Sequence, residues 1–225
     1  MTHLAIFDWN GTLFDDIEAN HVGANAALEA LGKPAISLET YRDTFDFPII
    51  HFYKRNGIEV DDYLGDIKKA NGTFFPIYEK LAAKCSARAH TKEILQWCND
   101  QHITTLILSN HTHESIAENL ARLDLDSHID HISSNPHDND IVLKMNKQER
   151  LEKFMDQHSF TPEKTFIIGD SLEEPHIGKN LGLTSFSITG GCISENRLRE
   201  SNPDHLIHKL TELKEILVKE WFIQL

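Results

Sequence analysis

Three apolar runs in this 225-residue chain stop abruptly at residues able to do chemistry. Leu4–Phe7 ends at Asp8, residues 105–108 end at Ser109 and Asn110, and residues 165–168 end at Gly169 and Asp170. Runs so solidly apolar predict strands covered on both faces. In a parallel sheet the C-terminal strand ends share one edge, where ligands of open α/β folds bind. Asp8, Ser109 and Asp170 are therefore expected to converge. Two carboxylates at one edge repel unless a cation lies between them, and hard oxygen donors suit Mg²⁺. A carboxylate can also be the nucleophile of phosphoryl transfer, forming an aspartyl phosphate that water resolves. The ion would offset repulsion between nucleophile and phosphate. Ser109 is suited to donate to one phosphate oxygen and a lysine from the next loop to another.

The elements that must hold these residues alternate short apolar runs with helix-period stretches at 92–99, 113–123, 147–158 and 209–221. That alternation predicts an α/β, Rossmann-like, mostly parallel sheet with helices on both faces. Residues 130–133 and 183–188 are weaker strand candidates. Asn146 followed by Glu149 has capping-box spacing, which puts Lys147 in the first turn of a helix. Pro175 fits the first turn of a short helix that Gly182 closes. Residues 16–88 break the alternation. Ile17, Ala24, Ala27, Leu28 and Leu31 recur at helical spacing, Gly32 and Pro34 stop that helix, and no buried strand follows. The expectation is an all-helical cap over 16–88, inserted into a core built from 1–15 and 89–225.

Composition closes other routes. With 22 Lys+Arg against 35 Asp+Glu the formal charge is −13, which disfavours nucleic acid, because a duplex binder must bring cations to the phosphates. Small phosphorylated substrates remain open if positive charge is concentrated locally. No apolar run approaches the ~20 residues of a membrane helix, and the N-terminus lacks the regions of a signal peptide. Cys85, Cys98 and Cys192 are odd in number and widely spaced, as expected for reduced thiols in a cytoplasmic protein. A monomer is the expectation, though no motif fixes the oligomeric state.

Four segments carry a resemblance. Asp8-Trp-Asn-Gly-Thr-Leu13, Leu106-Ile-Leu-Ser-Asn110, a helix-start lysine near 147 and Gly169-Asp-Ser-Leu-Glu-Glu174 are similar, in order and spacing, to the four motifs of the haloacid dehalogenase-like hydrolases. The likeness spans nearly the whole chain, and phosphoglycolate-phosphatase-like members resemble it most. It implies Mg²⁺-dependent hydrolysis of a small phosphorylated metabolite through an aspartyl phosphate on Asp8. It makes Asp8 the nucleophile and a metal ligand, with the Asn10 main-chain carbonyl and Asp170 as further ligands. Ser109, Asn110 and Gly11 would bind phosphate, Lys147 would neutralise it with Lys144 as the rival, and Glu174 would support the metal from behind. Residues 16–88 match that family's helical cap.

Asn10 departs from the pattern, since phosphatases of this kind place Asp there as general acid and base. An amide cannot titrate in that role, which is worth about 10²–10⁴-fold. Slow alkyl-ester hydrolysis, or a preference for better leaving groups such as acyl phosphates, is therefore expected. Two alternatives stand beside this reading: a non-catalytic phosphate-binding regulator, and a phosphonoacetaldehyde-hydrolase-like enzyme using Lys54 as a Schiff-base lysine. Tyr41, Arg42, Phe45, Tyr53, Lys54 and Arg55 suit an anionic substrate, with about half expected to pack or face solvent. His111 and His113 are expected to face solvent at a helix start. His128, His131 and His137 lack zinc-ligand spacing, and 137–140 reads as a solvated turn.

Overall fold

The computed structural model describes residues 3–59, 63–135 and 147–220. Six parallel strands form one sheet: β1 (Leu4–Phe7), β2 (Thr104–Thr112), β3 (His131–Asn135), β4 (Thr165–Gly169), β5 (Thr184–Ile188) and β6 (His205–Ile207), in the spatial order β3-β2-β1-β4-β5-β6. The central strands are apolar because both faces are covered. Alternate residues point to opposite sides of the pleat. Ala5, Phe7, Ile107, Phe166, Ile168 and Phe186 pack under α5 (Thr91–Asp100), α6 (His113–Arg122) and α10 (Leu210–Glu220). Leu4, Ile6, Leu106, Leu108 and Ile167 pack on the other side against α7 (Lys147–His158) and α8 (Glu173–Leu181). The expected α/β architecture with helices on both faces is present.

Between β1 and α5 lie four helices and, among the described residues, no strand: α1 (Ile17–Ala30), α2 (Leu38–Thr44), α3 (Ile50–Arg55) and α4 (Tyr63–Ala82). Ser37 caps α2 by accepting from the Thr40 amide at 3.1 Å. A cluster of Ala27, Leu28, Tyr41, Phe45 and Phe52 unites these helices, and Cys192, Ile193 and Leu198 from the sheet side join it. Leu198 belongs to α9 (Glu195–Glu200), a helix the sequence pattern did not signal. The two chain crossings between sheet and inserted helices run side by side: the Asp15 amide donates to the Ser86 carbonyl at 3.0 Å and the Arg88 amide to the Leu13 carbonyl at 2.9 Å.

Two expectations need correction and several lie outside the described residues. β2 does not stop at Leu108 but continues to Thr112, with its register against β3 shifting between Leu108 and Thr112. Side chains replace ladder bonds there: the Ser109 hydroxyl accepts from the His111 amide at 3.1 Å, and Asn135 Nδ2 donates to the Asn110 carbonyl at 2.9 Å. The strand after Asp130 begins at His131 and runs on to Asn135. Asn146, Lys144 and the 137–140 turn lie outside the described residues. α8 closes at Gly182, whose φ of 72° is left-handed.

Phe166 sits at the centre of the sheet, fully buried, with its ring centroid 5.7 Å from both Phe7 and Phe186. Phe166→Ala should lower unfolding stability by about 3–5 kcal/mol, read from urea denaturation.

Candidate active site

Asp8 follows β1 directly, 6% exposed, and its amide donates to the Ile168 carbonyl of β4 at 2.9 Å. Lys147, the first residue of α7, is 1% exposed. Its Nζ lies 3.1 Å from Asp8 Oδ1, 2.8 Å from Glu174 Oε1 and 3.5 Å from Glu173 Oε2. Burial alone would lower the lysine's pKa, but Asp8, Glu174 and Glu173 together hold it well above the usual value. Burial likewise pushes the Glu174 carboxyl up, and Lys147 and the Ser171 hydroxyl outweigh it, leaving Glu174 below its usual value. Asp8 stays well above the ordinary range through burial, with Glu174 and Asp170 adding to the push.

Asp170, at the end of β4, is seated by main chain. Its Oδ2 accepts from the Cys192 amide at 2.5 Å, and its Oδ1 from the Thr12 hydroxyl at 3.4 Å. Burial pushes its pKa to about 6. Gly11 makes this seat possible: its φ is +67°, and a Cβ there would stand 2.3 Å from Asp170 Oδ2. Gly169 does the same for Glu174, whose Cδ would meet an added Cβ at 2.3 Å.

Asp8 and Asp170 are hard oxygen donors raised by burial and by neighbouring carboxylates, a combination that a divalent cation relieves. Among the described residues no three His, Cys, Asp or Glu side chains form a metal cluster. Asp8, Asp170 and the main-chain oxygen of Asn10 are the hard oxygen donors that would hold such a cation.

Asn10 is held from behind by a residue that sequence reasoning missed. Its Nδ2 donates to Asp16 Oδ2 at 2.6 Å and to the Tyr78 hydroxyl at 2.7 Å. Tyr78 in turn donates to Asp16 Oδ2 at 2.7 Å, as does Asn20 Nδ2 at 2.8 Å, while Asp16 Oδ1 accepts from the Gly11 amide at 2.9 Å. Asp16 stands at the start of α1 but its side chain does not cap that helix; it turns back to the Asn10–Gly11 turn. Arg88 braces the same turn by donating to the carbonyl oxygens of Gly11 and Thr189.

A cavity of about 100 Å³ opens onto this constellation and is lined by Asp8, Asn10, Asn110, Lys147 and Asp170 on the sheet side. Ser109 and Gly11 do not line it; Ser109 is buried beside it, its carbonyl accepting from Arg150 at 2.8 Å. Tyr41, Phe45 and Tyr53 line it from the inserted helices. Arg42, Lys54 and Arg55 do not. Arg42 donates to the carbonyls of Gly191 and Gly190, both at 2.9 Å, and Arg55 pairs with Asp46 at 2.7 Å. Lys54 is exposed on α3, so its position gives a Schiff-base role no support.

His111 is a further correction: it lines the cavity, 6% exposed, with its ring 5.6 Å from that of Tyr78. The continuation of β2 carries it inward, whereas His113, at the start of α6, is exposed as expected. Burial lowers the His111 pKa to about 4, so the ring is neutral at pH 7.

The motifs around Asp8, Ser109, Lys147 and Asp170 lie within, or close to, a stretch that matches a family model: residues 5–188 fit that of the haloacid dehalogenase-like hydrolases. The chain belongs to that family. A phosphoglycolate phosphatase of Vibrio parahaemolyticus is 26% identical over 95% of each chain. Among solved structures, a hydrolase from Pseudomonas syringae superposes with a TM-score of 0.76 at 18% identity, over 96% of this chain and 99% of its own. A haloacid dehalogenase-like family hydrolase from Streptococcus pneumoniae gives 0.72 at 18% identity, over 96% and 98%. The six-stranded sheet with an inserted helical segment is thus the fold of this hydrolase family. No helix among the described residues is long and apolar enough to cross a membrane, and Cys85, Cys98 and Cys192 are free thiols.

Two predictions follow from the buried charges of this haloacid dehalogenase-like hydrolase. Lys147→Met leaves Asp8, Glu173 and Glu174 without their shared cation and should destabilise the fold by about 3–5 kcal/mol, measured by chemical denaturation. The His111 pKa is depressed in the folded state, so its contribution is present above the unfolded value of about 6.5 and is lost as pH falls towards 4. Wild type should therefore lose about 3 kcal/mol more than His111→Gln between pH 7 and pH 4.

Proposed function

We propose that this hydrolase is a Mg²⁺-dependent phosphatase of a small phosphorylated metabolite, acting through an aspartyl phosphate on Asp8. The observation that carries this reading is Lys147 Nζ, 3.1 Å from Asp8 Oδ1 at the strand edge that also carries Asp170. A buried lysine in that place pulls the Asp8 pKa down from where burial alone would set it and offsets the charge of an arriving phosphate. An oxygen of Asp8 attacks phosphorus, the leaving oxygen departs with the bonding pair, and water then cleaves the aspartyl phosphate. The Ser109 hydroxyl accepts from the His111 amide, which leaves its own hydrogen free to donate to a phosphate oxygen. Of the phosphate-binding residues the resemblance implies, Asn110 lines the cavity, and Ser109 and Gly11 lie just outside its lining. Asp8, the Asn10 carbonyl and Asp170 would hold Mg²⁺, which supplies charge neutralisation between nucleophile and phosphate. Residues 16–88 act as a cap over a core of 1–15 and 89–225, and their closure excludes bulk water.

Several features support this assignment: the family membership, the phosphoglycolate phosphatases among the relatives, and the carboxylates raised by burial beside one lysine. Asp8→Asn should reduce phosphate release to the buffer rate while the fold is retained, and EDTA should abolish wild-type turnover until Mg²⁺ is restored. Retained turnover in Asp8→Asn would end the covalent reading.

The Asn10 turn adds a second test. Asn10→Asp alone would set a carboxylate against Asp16, so the two would share a proton rather than act independently. Exchanging both, Asn10→Asp with Asp16→Asn, keeps one acid and one amide and should raise turnover of ethyl phosphate by at least about 10-fold.

A further inference from the structure

The wall of the cavity facing the sheet is largely aromatic, with Asn20 and Asn71 as its amides. Phe45, Phe47, Phe52, Phe74 and Phe75 contribute to it, with Ile49 half-buried among them. The rings of Phe45 and Phe52 lie 5.9 Å apart, and Phe45 and Phe47 meet edge to face at 5.2 Å. The cavity, about 100 Å³, is of the same scale as the roughly 150 Å³ apolar cavity that accepts a benzene ring.

The relative from Vibrio parahaemolyticus is named for phosphoglycolate, whose leaving group carries a carboxylate. A carboxylate taken into such a space needs a cation to meet it. Among the described residues lining the cavity, Lys147 is the one lysine or arginine, and it already faces Asp8, Glu173 and Glu174. His111 is buried and neutral at pH 7. Arg42 and Arg55 are held by main-chain carbonyls and Asp46, and Arg197 donates to Asp46 at 3.1 Å and to the Phe45 carbonyl at 2.5 Å. Among the described residues the cavity thus offers one cation, for a phosphate, and no second cation for another anion.

Resting on the phosphatase reading above, we infer that the substrate is a phosphate monoester with an uncharged, apolar, planar leaving group, an aryl phosphate, rather than one that carries a carboxylate. The Asn10 turn points the same way. Its amide cannot protonate a departing oxygen, and an alkoxide needs that proton. A phenoxide, whose conjugate acid has a pKa of ~10 like that of tyrosine, does not. An Asp8 oxygen bonds to phosphorus as the P–O(aryl) bond breaks, the pair leaves with the phenoxide, and the phenoxide takes a proton from water. Water then attacks phosphorus, the bond to Asp8 breaks, and inorganic phosphate and the carboxylate are regenerated.

The test is phosphate release by the full chain with Mg²⁺ on phenyl phosphate, 2-phosphoglycolate and acetyl phosphate. The inference requires kcat/KM on phenyl phosphate to exceed that on 2-phosphoglycolate by at least roughly 10-fold. A smaller or inverted ratio overturns it and leaves the phosphatase reading standing. Release from none of the three by folded protein overturns both. Ile49→Arg, which introduces a guanidinium into the half-buried part of the wall, should move the ratio towards 2-phosphoglycolate by about 10-fold. An unmoved ratio in the folded variant overturns the claim that a missing cation sets the preference.

Discussion

One buried ammonium group organises the sheet edge. Lys147 Nζ meets Asp8 after β1 and Glu173 and Glu174 at the start of α8, so three segments far apart in the chain share one charge. Three carboxylates cannot remain ionised together in a dry interior without it, and a lone ammonium there would lose its proton. The carboxylates hold the ammonium protonated, and it draws their pKa values down against burial, furthest for Glu174. The arrangement also fixes position, because two of the carboxylates facing Lys147 are tied elsewhere: Glu174 through its other oxygen to Ser171 at 2.7 Å, and Glu173 to Asn110 at 2.7 Å. Asn110 is in turn anchored through its carbonyl to Asn135 of β3. Strand ends and helix starts are aligned by these bonds as much as by the hydrophobic layers beneath.

The second constraint is the amide at residue 10. Asp16 Oδ2 collects donors from Asn10, Tyr78 and Asn20, which makes a buried carboxylate tolerable even though burial raises its pKa. An amide at position 10 is a natural partner for that carboxylate. The turn at Asn10 thus has a rigid, satisfied network in place of a titratable acid, and under the proposed mechanism that suits leaving groups that depart unaided. The proposed substrate preference draws on the same side: among the described residues the aromatic wall brings no cation of its own.

Much of the fold was legible because burial on both faces writes itself as unbroken apolar runs, as in Leu4–Phe7 and 165–168. The helices of the insertion were legible through stop signals such as Gly32 and Pro34. The limits of β2 were not, since Ser109, Asn110 and His111 are polar strand residues whose backbone is partly satisfied by side chains. That error also turned His111 outward in the sequence reading. Asp8, Asp170 and Lys147 could be placed by strand ends and by resemblance. Asp16 and Tyr78 could not, because their meeting spans 62 positions and leaves no local pattern. Arg42 and Arg55 misled for a related reason: composition shows a cation but not the carbonyl or carboxylate that will claim it.

The side-by-side crossings at 13–15 and 86–88 place both roots of the inserted helices next to the Asn10–Gly11 turn. Asp16 at the head of α1 and Tyr78 on α4 grip Asn10 from those two roots, while Arg88 grips the neighbouring Gly11 carbonyl. Any tilt of the helices about their roots must pull on the amide or break its bonds. The orientation of residue 10 is thus geared to the position of the helical segment, so whatever fills the aromatic cavity is felt, through two hydrogen bonds, beside Asp8.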